Sequence, residues 1–345
     1  MYQFKNTERN ASKGSDFETK SMLYLIGKRL DSKIINCITF DCFNDISGIN
    51  EGFDNIWDIQ AKNEQSLNPK KIGEYLYTLY KNYNSSFPFS VFIFFCPKLE
   101  EKYKIDNLKL SYGIDNVKEN TLERIKNGLI EKIINIEKIE TPEIDDFLSV
   151  VTFVEDNHLS ENNYIKAITS FKKTNIKSDD FYDTIFKELK SILLAKKNNN
   201  NIENEIIHNV RDVINFDRYL YKKDIEQLVI SRIIGTNLFN SDLPGLYIPK
   251  PFLPIISNIK DFDEIQDLIE NCQSDLSRAI FNKNNKKSLW NITEKIITYL
   301  NNRGSREVNI IYNDLFNNYR FINSYFSVSS IKFLISIIIE GYDNN

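Results

Sequence analysis

Histidine is almost missing from this chain, which holds only His158 and His208. Zinc hydrolases, HD-type phosphohydrolases and most HNH-type nucleases need two or three imidazoles around a metal, so those chemistries are hard to build here. Cysteine is scarce as well. Cys37, Cys42, Cys96 and Cys272 contain no CxxC pair, which argues against a structural zinc site. Three of them lie in apolar, strand-like surroundings and read as buried thiols of a reducing compartment. No GxxxxGKS/T or GxGxxG occurs, which excludes phosphate-cradling loops of those kinds. No run of about 18 apolar residues is present to span a bilayer. The opening residues, Met1 to Arg9, lack the apolar core of a signal peptide, so the expectation is a cytoplasmic protein with no membrane partner. An excess of basic charge is also lacking: 44 Lys and Arg against 48 Asp and Glu leave a formal net charge of -4, so any contact with DNA has to be local, metal-assisted or helped by a partner.

What the chain does have is apolar mass and carboxylate. With 41% hydrophobic and 13% aromatic residues it can bury a real core, and 345 residues suggest two domains. Phe17, Met22, Leu25, Ile26 and Leu30 recur at helical spacing and predict a helix over 14–31, with Ser15 as cap. Residues 34–43 read as a strand, and 44–54, with Gly48 and Gly52, as a turn with a short strand around Ile46. Asn55 to Lys62 alternates with period two, placing Asp58, Gln60 and Lys62 on one face and Trp57, Ile59 and Ala61 on the other. Asn68-Pro69 opens a helix, and the apolar run Phe89 to Cys96, closed by Pro97, reads as a buried central strand. Beyond it the chain is expected to be mostly helical, over 118–138, 161–173 and 179–196. A strand-like run at Phe147 to Val154 joins the same sheet. Lys196 to Asn201 is polar and unpatterned, and Pro244 to Pro254 interrupts the later helices.

Phosphodiester hydrolysis with a divalent cation needs hard oxygen ligands, an attacking water and a positive group beside the developing charge. The PD-(D/E)xK pattern supplies these from two neighbouring strands: an acid on the first, then an acid or amide two residues before a lysine on the next. Two-residue spacing is required because it puts both side chains on one face. Gln60-Ala-Lys62 has that spacing, and Asp45 precedes it across a glycine-containing turn. Asp58 shares the face of Gln60 and Lys62 and is the alternative acid. From Asn36 to Asn68 the net charge is -5, against +3 from Met1 to Ile35, which suits an acidic metal pocket beside a mildly basic flank, although Glu51, Asp54 and Glu64 read better as turn and surface residues. Glu18, near the buried side of the first helix, is a further candidate, although Ser15-Asp-Phe-Glu18 also fits a capping box. Glu155-Asp156-Asn157-His158 reads as a charged turn after a strand, and His208 as part of a helical pattern with Ile206, Ile207 and Val210. Lys70 and Lys71, close after the motif, could steer phosphate or simply be solvated. The run Ile331 to Ile339 is too short for a membrane and is expected to be core or a docking surface.

Glu18 on a helix, Phe43-Asn-Asp-Ile46, Trp57-Asp-Ile-Gln-Ala-Lys62, and then a helix leading to a strand together resemble a bacterial antiphage nuclease domain. That domain occurs in effectors of cyclic-oligonucleotide (CBASS) systems and in the nuclease subunit of Lamassu systems. The resemblance covers roughly residues 10–175. It implies cleavage of double-stranded DNA with Mg²⁺ or Mn²⁺, with Asp45 and Gln60 binding metal, Lys62 positioning the attacking water and Glu18 supporting the site. Asn44 stands where many relatives carry a second acid. The expected architecture is an α/β restriction-endonuclease-like domain over 1–195, a mixed sheet flanked by helices. A linker over 196–202 and a mostly α-helical domain over 203–345 would follow. A short helical second domain favours the Lamassu-like arrangement, in which it docks on an SMC-like ATPase or mediates homo-oligomerisation. The expected function is therefore an endonuclease subunit of a defence complex. The alternatives are a catalytically inactive nuclease-fold scaffold and a stand-alone restriction endonuclease.

Overall fold

The computed structural model describes residues 2–3, 15–64, 66–139, 141–156, 159–173, 175–198, 205–235, 247–282, 285–302, 304–316 and 326–343. The chain divides into two compact units: Met1–Tyr164 with Phe186–Lys222, and Ile165–Ile185 with Lys223–Asn345. Asn157 and His158, most of the polar stretch 196–202, and Pro244 lie outside the described residues.

In the first unit a seven-stranded mixed sheet is built from β2 (Ile35–Phe40), β3 (Ile46–Asn50), β4 (Ile56–Ala61), β5 (Phe89–Pro97), β6 (Ser111–Tyr112), β7 (Val151–Asp156) and β9 (Tyr219–Tyr221), in the order β6-β7-β5-β4-β3-β2-β9. Strands β4, β5 and β7 run parallel to one another and every other pairing is antiparallel. A separate two-stranded pairing joins β1 (Tyr2–Gln3) to β8 (Ile206–Ile207). The helices of this unit are α1 (Ser15–Leu23), α2 (Pro69–Tyr83), α3 (Glu119–Glu137) and α4 (Asp145–Val150), with parts of α5 (Glu161–Ile168) and α6 (Asp179–Asn198).

Burial follows from the pattern of apolar residues. Phe92 to Cys96 are all buried because β5 lies between two parallel neighbours with both faces covered. On one face Phe92, Phe94 and Phe153 pack against Ile72, Leu76 and Leu79 of α2 and Ile125, Leu129 and Ile133 of α3. On the other, Phe95 meets Phe17 of α1 with ring centroids 4.8 Å apart. Asn68 caps α2 by accepting from the Lys71 N–H at 3.0 Å, and Pro69 fills the first helical position. Helices α2 and α3 touch backbone to backbone: a Cβ on Gly73 would lie 2.0 Å from the Ile125 carbonyl, and one on Gly128 would lie 2.0 Å from that of Lys70.

Several sequence expectations need correction. The helix expected over 14–31 is α1 followed by one π-helical turn at Tyr24–Lys28. The strand expected over 34–43 ends at Phe40, and the short strand expected around Ile46 runs on through Gly48 to Asn50, leaving connections at 41–45 and 51–55. The run from Phe147 is strand only from Val151. Asp145 and Asp146 favour a helix start where its backbone N–H groups are unsatisfied, and Phe147 and Leu148 bury from that helix. Ile206 and Ile207 form a strand, so His208 follows β8 and is exposed; its backbone N–H donates to Asp212 Oδ2 at 2.9 Å.

The second unit is helical, with α7 (Lys222–Ile234), α8 (Leu253–Ile256), α9 (Phe262–Phe281), α10 (Lys286–Asn301), α11 (Val308–Phe316) and α12 (Val328–Asp343). The apolar run from Ile331 is core: Ile331, Phe333, Leu334, Ile335, Ile337, Ile338 and Ile339 are buried, and α12 packs on α9, α10 and α11. Segment 165–185 is tied to α10 by Phe171 against Trp290 (5.0 Å) and by Glu294, which accepts the Lys172 and Lys173 N–H groups at 3.0 and 2.8 Å. Among the described residues no helix is long and apolar enough to cross a membrane.

Candidate metal centre

The hairpin from β2 to β3 meets the C-terminal end of the central strand β4, because the start of β3 pairs with the end of β4, Ile46 opposite Ile59. Asp45 immediately precedes β3. Its Oδ2 accepts from Gln60 Nε2 at 2.5 Å and from the Ala61 N–H at 2.8 Å. Asn44, buried, accepts the Asp45 N–H at 3.0 Å and so fixes the backbone there. Lys62 extends the ladder by donating its N–H to the Phe95 carbonyl at 2.9 Å, and its Nζ lies 5.2 Å from the Tyr75 ring centroid.

Asp41 enters the site through the hairpin. Its N–H donates to the Asp45 carbonyl at 3.3 Å, closing the connection so that both carboxylates sit at its mouth. Asp41 has a φ of 51°, a left-handed conformation that aspartate tolerates better than most residues. Glu18 arrives from α1, which packs on β3 and β4. One carboxylate oxygen from each of Glu18, Asp41 and Asp45 lies within 4.8 Å of the others. Hard oxygen donors at that spacing, with the neutral Gln60 amide beside them, fit Mg²⁺ or Mn²⁺ in the chemistry of the donor set.

The electrostatics agree with that grouping. Burial pushes the Asp45 carboxyl up to about 7; Lys62 and the Ala61 N–H pull it down, while Glu18 and Asp41 push it up further. Glu18 is raised by burial as well, against the opposing pull of Lys197. Like charges crowded together disfavour ionisation until a cation arrives.

Asp58 lies elsewhere on β4. It is fully buried, with Oδ2 bonded by Asn82 Nδ2 at 2.7 Å and Oδ1 by Ser47 Oγ at 3.5 Å, and it stands outside the three-carboxylate group. Lys71 pairs with Glu64 at 2.6 Å and Lys70 with Glu131 at 2.6 Å, so both lysines are engaged on the protein itself. Glu155 and Asp156 are not a turn. They end β7 and are buried, Glu155 with Lys104 Nζ at 2.7 Å and Tyr112 Oη at 2.5 Å, Asp156 with Lys20 Nζ at 3.0 Å and Tyr164 Oη at 2.8 Å.

Two members of the centre escaped sequence reasoning. Asp41 had a usable signal, the four-residue spacing Asp41…Asp45 across a hairpin. Lys197 had none. It lies in the stretch expected to be a linker, yet residues 196–198 complete α6. Its Nζ reaches Glu18 Oε2 at 2.8 Å and Asp41 Oδ2 at 2.9 Å. No family model, curated protein or solved structure matches the chain.

Proposed function

We propose that this chain is a divalent-metal-dependent endonuclease acting on double-stranded DNA, with a restriction-endonuclease-like first unit of the PD-(D/E)xK kind. The observation that carries the reading is the meeting of Asp45, Gln60 and the Glu18–Asp41 pair at the end of β4, one residue before Lys62. Asp45 and Gln60 would hold Mg²⁺ or Mn²⁺, with Glu18 and Asp41 completing an acidic wall. The bound cation supplies charge neutralisation for the phosphate and a more acidic water. Lys62 leaves β4 on the same face as Gln60 and carries its positive charge into the field of Asp45 and Glu18. There it orients the attacking water and offsets charge developing on the phosphate. Asp58 takes the part of a support: bonded by Asn82 and Ser47, it fixes β4 behind Gln60.

The acidic balance of the chain and the helical second unit support the further reading as one subunit of a bacterial antiphage complex, docking on an SMC-like ATPase or on a second copy of itself. The test is incubation of the full chain with supercoiled plasmid and linear duplex DNA in Mg²⁺, Mn²⁺ or EDTA, with and without the products of neighbouring genes. Cutting confined to the metal-containing reactions supports the assignment. A chain that binds its neighbours but leaves DNA intact in every combination is a scaffold, and the nuclease reading falls.

A further inference from the structure

Helix α6 ends against the carboxylates. Three of its lysines fasten it: Lys190 to Asp16 of α1 at 2.7 Å, Lys196 to Asp217, and Lys197 to Glu18 and Asp41 together. The first two pairs have an acid at least half exposed, and exposed pairs contribute little. Lys197 differs, since its side chain and that of Glu18 are each 10% exposed. A lysine ammonium is charged at neutral pH, and this one is held by two carboxylates at 2.8 and 2.9 Å. It bridges two of the three carboxylates whose oxygens lie within 4.8 Å of one another. A single positive charge thus sits on two of the three carboxylates that this donor set offers to a divalent ion.

An ammonium on Glu18 Oε2 and Asp41 Oδ2 competes with a divalent ion for those two oxygens. Lysine donates hydrogen bonds and has no lone pair to offer a metal while protonated, and two cations a few ångströms apart repel strongly where water is excluded. We propose that Lys197 is a built-in cation that fills the carboxylate cluster and must be displaced by the incoming divalent ion, so that the last turn of α6 sets the metal affinity of the site. The inference rests on the metal-site reading above and adds its regulation: whatever moves that turn loads or unloads the centre.

The experiment is calorimetric titration of Mn²⁺ into the full-length chain, as wild type, Lys197→Met, Lys197→Arg and Lys196→Met. Lys197→Met is expected to bind Mn²⁺ about tenfold or more tightly than wild type, because the ion no longer competes with a resident charge. Lys197→Arg keeps the charge and should bind as weakly as wild type. Lys196→Met removes a charge from the same helix end without touching the cluster and should leave affinity unchanged. A second measurement needs no variant: reductive methylation of the wild-type protein, read by peptide mass spectrometry. It should find Lys197 protected in EDTA and modified in saturating Mn²⁺. Equal or weaker binding by Lys197→Met, or unchanged protection of Lys197 in Mn²⁺, overturns the displacement while leaving the metal site standing. Mn²⁺ binding by neither protein overturns the metal site and this inference together.

Discussion

Gln60 and Asp45 share one hydrogen bond, Nε2 to Oδ2 at 2.5 Å, and the Ala61 N–H donates to the same oxygen at 2.8 Å. The neutral amide lets a carboxylate sit against β4 without a cation. Gln60→Glu removes that neutrality and sets two acids in contact. The variant should lose roughly 1–3 kcal/mol of stability in EDTA, since a donor is replaced by a second acceptor. Mn²⁺ should raise its melting temperature by more than it raises that of wild type. Melting curves with and without metal decide it, and identical behaviour of the two proteins counts against the site.

The elevated Asp45 carboxyl, pushed up to about 7 chiefly by burial, makes metal binding depend on pH. The ion takes the ionised form, so protons compete with it below that value. Mn²⁺ affinity should rise about tenfold for each pH unit up to the pKa and then level off. Titrations at about pH 6, 7 and 8 read this directly. An affinity independent of pH contradicts it.

Asp58 is a second carboxyl pushed up to about 7, again by burial, with the Asn82 bond pulling the other way. In the unfolded chain an aspartate ionises near ~3.9. Between those values the folded protein binds a proton that the unfolded chain has lost. The contribution to stability is therefore complete at low pH and is lost as pH rises from about 4 to 7, by at most about 1.4 kcal/mol per unit. Asp58→Asn, which keeps an acceptor for Asn82, should flatten that slope and be more stable than wild type near pH ~8. Urea denaturation of both proteins across the range is the measurement, and equal slopes refute the assignment.

The contact of α2 with α3 gives a prediction away from the chemistry. Alanine normally favours a helix over glycine by about 1 kcal/mol. At Gly73 and Gly128, however, a Cβ would lie 2.0 Å from a backbone carbonyl of the other helix, and backbone cannot step aside cheaply. Either substitution to alanine should destabilise by about 1–3 kcal/mol or more, seen as a lower denaturation midpoint. A gain in stability would show that the helices sit further apart.

Much of the sheet could be read from periodicity. Residues 56–61 alternate in polarity although β4 is buried throughout, its polar face holding Asp58 and Gln60, and from Phe92 to Cys96 the run is apolar on both faces because β5 is buried there on both. That Asp45 meets Gln60 was legible in the pattern of an acid on one strand and Gln-x-Lys on the next. What escaped was long-range or local-by-context. Phe147 and Leu148 are apolar enough for strand, and only tertiary packing behind Asp145 and Asp146 makes them helical. Strand β9 completes the sheet from residues 219–221, far along the chain from its partner β2. Lys197 joins Glu18 across 179 residues, and its surroundings in sequence, lysines and asparagines, are those of a solvated stretch.

The most direct test of the central claim separates metal binding from chemistry at Lys62. Wild type, Asp45→Ala and Lys62→Ala should be compared for Mn²⁺ affinity and for cleavage of duplex DNA under the same activating conditions. Asp45→Ala should lose both, whereas Lys62→Ala should still bind Mn²⁺ and no longer cut. Cleavage by Lys62→Ala at the wild-type rate, or by Asp45→Ala at any comparable rate, would contradict it.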